Sequence, residues 1–408
     1  MLIFENKSLS LFWMIDSQLN KIKNILACCT FYRCLVAFLA FTFSYLPVFS
    51  NSIKSINLYG HSIHLDFAAP EINLKAPLEA IDLTASIGDL KNVNLQKLVY
   101  QMDSISVQFG MDDIAYLLFL DKVSKCVYSN ILEQGLFKYA LLKTKGYRVL
   151  LGYSSDYLTV YGHLDFKVHN VAFVNYGKFV FTDLSFLQNL EPCEEILLEA
   201  SLEGRAITMN DKRPPLFNVL SKQYNIHFEY EGMQYNFEGR LNHSLVSYYR
   251  DLPAIEFGQV YLNYQFSEQA KNSLINSLRQ ATKNMFPSKQ IDFLLQFAQT
   301  AFLYRTDYES MGMEKFAFPE EVLANQFADC EDKSVLFAYL AKEVLDLPSV
   351  ALIYYVDNHL NVGVAFNHKS AYNFIYNNQK YLVCEPSGLG FKPGENIYDL
   401  NKASIVNW

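Results

Sequence analysis

The chain has 408 residues, which is enough for two or three domains. Hydrophobic residues make up 51% of it, so packed cores are expected and global disorder is excluded. The net charge is -8 and no basic cluster follows the N-terminal region, which argues against nucleic-acid binding.

The first 50 residues predict export. Lys21, Lys23 and Arg33 precede an apolar run at residues 34–49, and Ser50 provides a small residue at a possible signal-peptide cleavage site. The run is short for a membrane span, so a cleaved signal peptide is the first interpretation and an uncleaved anchor the second. We therefore expect a protein of the periplasm or cell envelope that contacts the membrane only through this segment, if the segment is retained.

Residues 51–90 alternate polar and apolar side chains, which predicts short strands. Helices are then predicted at 94–102, 112–123 and 131–143, and strands at 147–153, 158–161, 168–174 and 178–182. Residues 191–265 predict an antiparallel β module, whose clearest hairpin turns at Glu231-Gly232.

Ser267 begins a predicted helix that runs to about residue 284, and a second helix covers roughly 289–303. Cys330 begins a third helix that ends before Leu347, and strands follow at 350–356, 360–366 and 380–385. The prediction is an α+β protein with three domains after the signal segment, at 51–190, 191–265 and 266–408.

The order of one helix and three strands occurs twice. Residues 131–182 and 330–385 follow it with similar spacing. We hypothesise that residues 112–190 are a degenerate, inactive copy of the C-terminal module. In this copy the position of Cys330 falls near Asn130, and the position of His359 near Asp156 or Tyr157.

Few cysteines would remain after removal of a signal peptide: Cys126, Cys193, Cys330 and Cys384. They are too dispersed for a disulfide framework, and the sequence has no C-x-x-C pair and no zinc-ligand spacing, so neither a metal nor a cofactor is expected. Seven histidines also lack metal spacing and are interpreted as ordinary: His61, His64, His163, His169, His227, His243 and His368.

A thiol, an imidazole and a carboxylate follow one another in the last third of the chain. Cys330 stands at a helix start, where the positive end of the helix dipole and a nearby imidazolium would lower the pKa of a thiol. His359 is the predicted base, and Glu385 the predicted carboxylate that orients it. Asp357 and Asp399 are the alternatives for the carboxylate.

Other residues near Cys330 could support the same chemistry. The backbone N–H of Cys330 and the side-chain amide of Gln326 are candidate donors to an oxyanion. Asp329 and Asp332 are supporting residues, and Asp332 is interpreted as a cap or a charge at the helix start. Cys384 alternates with Glu385 along a strand and is therefore predicted to lie in the core.

Three motifs together resemble the transglutaminase-like superfamily, in particular its bacterial, exported branch: Asp329-Cys330-Glu331-Asp332, Asp357-Asn358-His359 and Cys384-Glu385-Pro386-Ser387. The resemblance covers residues 290–400. It implies a papain-like α+β core, thioester chemistry on amides, and a triad in which Cys330 is the nucleophile, His359 the base and Glu385 the acid. The chain departs from the family pattern in having Glu where Asp is usual.

The leading functional prediction is an exported cysteine acyl-transfer enzyme, a peptidase or amidase rather than a transamidase. Its substrate would be a protein, peptide or other amide of the cell envelope. The alternative is a non-catalytic envelope binding or scaffold protein that retains the fold. An open cleft with the thiol, imidazole and carboxylate together favours the enzyme, whereas a filled cleft favours the binder.

Overall fold

Helices and antiparallel sheets alternate along this α+β chain, as predicted. The computed structural model describes residues 52–186, 192, 193, 195–197, 202–218, 221–256, 258, 260–366 and 372–407. The predicted export segment at 1–50 and His368 lie outside the described residues. Within them, no helix combines the length and the apolar character that a membrane span requires.

The helices, in chain order, are α1 (Ala80–Lys91), α2 (Gln96–Gln108), α3 (Asp113–Val127), α4 (Ile131–Thr144), α5 (His243–Asp251), α6 (Val260–Asn263), α7 (Glu268–Ala270), which continues through a π-helical turn (Lys271–Ile275) into α8 (Asn276–Thr282), α9 (Pro287–Thr300), α10 (Asp307–Met311), α11 (Pro319–Asn325) and α12 (Cys330–Leu345).

The strands are β1 (Ser52–Leu58), β2 (His61–Phe67), β3 (Val149–Tyr153), β4 (Leu158–Gly162), β5 (Phe173–Tyr176), β6 (Phe179–Asp183), β7 (Glu195–Leu197), β8 (Ser221–Tyr230), β9 (Met233–Asn242), β10 (Leu303–Tyr304), β11 (Phe327–Ala328), β12 (Ser349–Tyr354), β13 (His359–Ala365), β14 (Phe374–Tyr376), β15 (Gln379–Cys384) and β16 (Ser404–Asn407).

Two sequence-based expectations need correction. The region 51–90 contains two strands but also helix α1, and the predicted β module at 191–265 contains the β8–β9 hairpin but also helix α5. Asn242 caps α5 by accepting a hydrogen bond from the N–H of Leu245, a local signal that the alternation of Tyr and Phe obscured. Strand β7 pairs with β3, so the first sheet includes residues on both sides of position 190.

The C-terminal sheet has the strand order β14-β15-β13-β12-β16, and every neighbouring pair is antiparallel. Helix α12 packs against β13 and β12, and its residues from Val335 to Ala341 are almost fully buried. Burying apolar side chains of this size contributes about 2 kcal/mol each before entropy is counted. This packing fixes the helix start over the sheet and is consistent with a papain-like core.

The N-terminal sheet has the same plan. Its order is β5-β6-β4-β3-β7, again antiparallel throughout, and α4 packs against β4 and β3. Tyr153 faces Leu158 across the first hairpin, as Tyr354 faces His359 across the second. The shared strand order supports the hypothesis of a degenerate copy, which stays a prediction. The hairpin register places Leu158, rather than Asp156 or Tyr157, opposite Tyr153 as His359 lies opposite Tyr354.

The β8–β9 hairpin packs against helix α9. Phe228 of β8 packs edge-on against Phe293 and Phe297 of α9, with ring centroids 5.0 and 5.5 Å apart. Residues from Ile53 onward form one compact unit. The three-domain division stays a prediction.

Candidate active site

An imidazole and a carboxylate meet where β13 begins and β15 ends. Nε2 of His359 lies 2.7 Å from Oε2 of Glu385 and 2.8 Å from Oδ1 of Asn361. Both partners are acceptors, so Nε2 carries the hydrogen and donates it. In the neutral ring Nδ1 is then the basic nitrogen, and within the described residues it receives no hydrogen bond.

A network of amides fixes the orientation of Asn361. Its Nδ2 donates to Oδ1 of Asn396 at 3.0 Å. Asn396 in turn donates to the carbonyl of Tyr398 at 2.7 Å and to the hydroxyl of Tyr354 at 3.2 Å. The oxygen of Asn361 therefore points at the imidazole, which sets the tautomer of the ring. Sequence reasoning missed Asn361 and Asn396 because single amides carry no recognisable spacing.

Every oxygen of Glu385 accepts at least one hydrogen bond. Its Oε1 accepts hydrogen bonds from the backbone N–H groups of Ser387 and Gly388 at 3.1 and 3.2 Å and from the Ser387 hydroxyl at 2.6 Å. Its own carbonyl accepts from the side chain of Gln299 on α9 at 2.9 Å. With 2% of its surface exposed, the carboxylate is held by the Pro386-Ser387-Gly388 turn. These hydrogen bonds hold the carboxylate of Glu, whose side chain is one methylene longer than that of the Asp usual in the family pattern.

The pKa values of the pair move in the directions of an ion pair. Burial lowers the pKa of His359, but the hydrogen bond and the charge of Glu385 outweigh it, so the pKa is raised overall. Burial likewise raises the pKa of Glu385, but the hydrogen bonds from His359 and Ser387 outweigh it and lower the pKa overall. Of the three carboxylates proposed for this role, Glu385 is the one that the structure places against the ring; Asp399 caps a short 3-10 turn and Asp357 lies in the β12–β13 turn.

Cys330 is the first residue of α12 and is 9% exposed. Its thiol donates to Oε2 of Glu331 at 2.7 Å, and no hydrogen bond joins the sulfur to His359 among the described residues. Burial, followed by the charge of Glu331, raises the pKa of the thiol well above its ordinary range. The expectation of a lowered thiol pKa is therefore wrong for this arrangement, because a carboxylate rather than an imidazolium is the nearest charged group.

The thiol and the imidazole nevertheless share one neighbourhood. The hydroxyl of Ser334, one turn into α12, donates to the carbonyl of Leu360 at 2.8 Å and ties the helix to the strand residue that follows His359. The ring of Tyr398 stacks on His359 with a centroid distance of 4.4 Å. Burial and then the charge of Glu385 raise the pKa of Tyr398.

Removing the carboxylate of Glu331 is expected to activate the thiol. Burial alone would still hold the thiol pKa up, but Glu331→Gln removes the nearest negative charge, so the pKa should fall. Each unit of decrease raises the thiolate fraction, and with it the rate of iodoacetamide modification at pH 8, by about tenfold. Mass spectrometry of the Cys330 peptide measures that rate. Glu314→Gln, another carboxylate of the same cavity, is the control. An unchanged rate in Glu331→Gln would show that this carboxylate does not restrain the thiol.

Asp329, rather than Asp332, caps α12, and Asp332 is an acidic residue of its first turn. Oδ1 of Asp329 accepts from the N–H of Asp332 at 3.3 Å and caps α12, whereas Asp332 accepts from the N–H of Ala317 at 2.6 Å and fastens the loop before α11. Carboxylate oxygens of Asp307, Asp329 and Asp332 lie within 4.8 Å of one another, and such a set is chemically able to hold a hard cation. The sequence did not reveal this cluster, since Asp307 lies on a separate helix, α10.

Burial, followed by the charges of neighbouring carboxylates, raises the pKa values of this cluster. Burial, then the charge of Glu331, raises the pKa of Asp329 to about 8, and burial with the charges of Glu314 and Glu331 raises that of Asp307 to about 7. A carboxyl group with a raised folded-state pKa contributes stability that is complete below its ordinary pKa of 3.8 and is lost as the pH rises through the folded value.

Asp329→Asn should therefore stabilise the protein increasingly as the pH rises above 3.8, with the full gain reached above about pH 8. Asn is an equally good helix cap, so the variant keeps the cap and removes the charge. We expect the free energy of unfolding to match the wild type near pH 4 and to exceed it by about 2 kcal/mol near pH 9. Urea unfolding at both pH values measures this, with Asp82→Asn in the exposed first turn of α1 as the control. A variant that loses stability equally at both pH values would contradict the protonated cluster.

The second oxyanion candidate is not aimed at the sulfur. The amide of Gln326 donates to the carbonyl of Asn225 on β8 at 3.5 Å, and the residue itself is exposed. Lys333, which sequence reasoning missed, is buried one turn from Cys330 and donates to the carbonyl of Gln299 at 2.7 Å; burial lowers its pKa to about 8. Cys384 is fully buried, which confirms its prediction as a core residue.

An open cavity of about 650 Å³ adjoins the imidazole. Its lining includes His359, Glu331 and the turn between β12 and β13, together with His169 and Ile255 from earlier in the chain. Cys330 is not among the residues that line it. The volume lies within the range of small-molecule and peptide clefts, roughly 300–1,000 Å³.

Comparison with known proteins adds little to this geometry. No protein-family model matches the chain, and no curated protein matches it. Among solved structures, the chain is similar to Legionella pneumophila LapG, at 13% identity over 29% of this chain and 81% of that chain, with a TM-score of 0.16. A likeness of that size carries no argument about mechanism. The functional conclusion therefore depends on the residues of the site.

Proposed function

We propose that the chain is a cysteine acyl-transfer enzyme that acts on amide bonds through a thioester. The observation that carries the proposal is the buried His359–Glu385 pair, in which Nε2 is committed to two acceptors and Nδ1 is left as the base. The order Cys330, His359, Glu385 and the resemblance to transglutaminase-like enzymes support the same assignment.

The proposed reaction needs no group beyond these side chains and water. The Cys330 thiol gives its proton to Nδ1 of His359, and the sulfur attacks the amide carbonyl carbon. The C–N bond breaks as the imidazolium protonates the leaving amine, which leaves a thioester on Cys330. Water then attacks the thioester, gives one proton to the imidazole, and releases the acid and the free thiol. Glu385 stabilises the imidazolium in both halves of the cycle.

The Cys330 thiol must first break its hydrogen bond with Glu331. In the resting structure the thiol donates to that carboxylate, so substrate binding must turn the side chain of Cys330 toward Nδ1. The backbone N–H of Cys330 lies in the first turn of α12, where the helix ladder does not use it, and is the proposed oxyanion donor.

A panel of fluorogenic peptide amides tests this proposal. We expect hydrolysis by the wild type and none by Cys330→Ala, while Cys384→Ala, a cysteine that is fully buried in β15, keeps the activity of whatever fraction folds. An added fluorescent primary amine distinguishes the two acceptors: incorporation into the acyl product indicates transamidation, and its absence indicates hydrolysis. Activity that survives in Cys330→Ala would refute the proposed nucleophile.

A second candidate function is a non-catalytic binding protein that retains the fold. The hydrogen bond from Cys330 to Glu331, in place of one to His359, is the observation that favours it. In that case Cys330→Ala and wild type would capture the same partner with equal affinity and neither would turn it over.

We further propose that the protein is exported to the periplasm or cell envelope and meets its amide substrate there. The charged and apolar pattern of residues 21–50 supports this. Fractionation of expressing cells followed by N-terminal sequencing tests it: a mature N-terminus near residue 51 in the envelope fraction is expected, and an intact chain in the cytosol would contradict export.

A further inference from the structure

The N-terminal half repeats the strand order of the proposed active site, and residues 70–78 contact the corresponding helix start and hairpin turn. Besides the shared strand order, Tyr161 faces Asp183 there as Val362 faces Cys384 in the C-terminal sheet. Counted back from the C-cap residues Lys145 and Asp346, Asn130 at the start of α4 corresponds to Glu331. Leu158 takes the place of His359, so this half lacks the imidazole.

Three hydrogen bonds hold residues 70–78 in this position. The hydroxyl of Tyr128 donates to the carbonyl of Pro70 at 2.6 Å, Nδ2 of Asn130 donates to the carbonyl of Leu74 at 3.0 Å, and the N–H of Leu78 donates to the carbonyl of Ser155 at 2.6 Å. The segment thus runs from the start of helix α4 to the turn between β3 and β4.

The segment is extended in its central part. From Pro70 to Lys75 the side chains are alternately buried and exposed, with Ile72 and Leu74 turned inward and Glu71 and Asn73 turned to solvent. Alternation of this kind is the pattern of an extended chain lying on an apolar surface. The carbonyl held at the helix start belongs to Leu74, one of the inward-facing residues.

The C-terminal half has a cavity at the same place. Glu331 corresponds to Asn130, and the β12–β13 turn corresponds to the turn that contains Ser155; Glu331, Tyr355 and Asn358 all line the cavity. Its wall is also partly apolar, with contributions from Ile353 and Val406.

From this correspondence we propose that the substrate of the Cys330 site is an extended polypeptide segment with an apolar residue on the acyl side of the bond that is attacked. The proposal rests on the proposed function, because it assigns the substrate of that same thiol. The acyl side would lie at the start of α12, as Leu74 lies at the start of α4. The leaving side would run along the β12–β13 turn, past Tyr355.

Peptide binding to the inactive Cys330→Ala protein tests this path without requiring chemistry. The probe is a pool of casein peptides, from which bound peptides are recovered and identified by mass. We expect peptides as long as residues 70–78 to be enriched over tetrapeptides by at least roughly tenfold, equivalent to about 1.4 kcal/mol. Apolar residues should recur at alternate positions of the bound peptides.

The matched variants are two exposed tyrosines. Tyr355→Ala, made in the Cys330→Ala protein, should abolish the length dependence, while Tyr100→Ala on α2 should not; the two side chains are 73% and 72% exposed, so neither change disturbs the core. Equal recovery of short and long peptides, or a length dependence that survives Tyr355→Ala, would overturn the proposed path.

The outcome is separable from that of the proposed function. If wild type forms a thioester but binding shows no length dependence, the polypeptide substrate is refuted and the enzymatic proposal stands. If long peptides bind through Tyr355 and no thioester forms, the path stands and the enzymatic proposal fails.

Discussion

Replacing His359 with alanine should lower thioester formation at Cys330 by roughly a thousandfold, within the range that general-base residues contribute. The imidazole is the group that removes the thiol proton, and among the described residues its Nδ1 is uncommitted. Simple alkylation by iodoacetamide should change by less than about threefold, because the resting sulfur is bonded to Glu331 and not to the ring. Single-turnover acylation by a nitrophenyl ester measures the rate of thioester formation, and iodoacetamide treatment of the same preparation measures the rate of alkylation.

His169→Ala is the control for this prediction, since His169 lines the same cavity, whereas the imidazole that bonds to Glu385 is that of His359. It should leave both rates near those of the wild type. If His359→Ala slowed alkylation as much as acylation, the thiol would be ion-paired with the imidazole in the resting state, contrary to the structure. If it slowed neither, His359 would not be the base.

Glu385→Ala is expected to be the most destabilising change at the site, at about 3–5 kcal/mol, since it removes one partner of a buried pair. It leaves the N–H groups of Ser387 and Gly388 and the Ser387 hydroxyl without their acceptor, and it removes one of the two acceptors of Nε2 of His359. Urea unfolding measures the loss. Glu385→Gln should lose much less stability, since an amide oxygen still accepts hydrogen bonds, but it should lose activity because the imidazolium is no longer stabilised.

The pH dependence of this loss follows from the two pKa shifts. Glu385, with a lowered pKa, contributes stability above its ordinary value of 4.5 that is lost as the pH falls through the folded value. His359, with a raised pKa, contributes stability below its ordinary value of 6.5 that is lost as the pH rises through the folded value. The difference in the free energy of unfolding between wild type and Glu385→Ala should therefore be largest between pH 4.5 and pH 6.5.

Glu395→Ala removes an exposed carboxylate from the nearby loop and should cost less than about 1 kcal/mol. A loss from Glu385→Ala that is equally small would mean that the carboxylate is not needed to hold the ring and the Ser387 turn together.

Much of the architecture could be predicted from periodicity. The helix beginning at Cys330 and the hairpin turning at Glu231-Gly232 were both recognised, because a cap residue or a glycine marks where each begins or turns. Helix α5 was missed because its Tyr residues resemble a strand pattern, and its cap, Asn242, is also the last residue of β9. Local propensity does not show whether Asn242 ends a strand or caps a helix.

The site itself was only partly predictable. Chain order and strand spacing were enough to nominate His359 and Glu385, which the structure brings within 2.7 Å. The competing hydrogen bond from Cys330 to Glu331 was not foreseeable, because side chains adjacent in sequence meet only in particular rotamers. The contribution of Asp307 to the acidic cluster depends on tertiary packing, which one sequence does not show.

The most direct measurement is the intact mass of the wild-type protein, quenched in acid soon after mixing with an acyl donor. A single added acyl group, located on Cys330, removed by hydroxylamine and absent from His359→Ala, is the predicted result. Acylation at Cys126, Cys193 or Cys384 instead, or an equal yield on Cys330 in the absence of the imidazole, would contradict a thiol–imidazole acyl-transfer site.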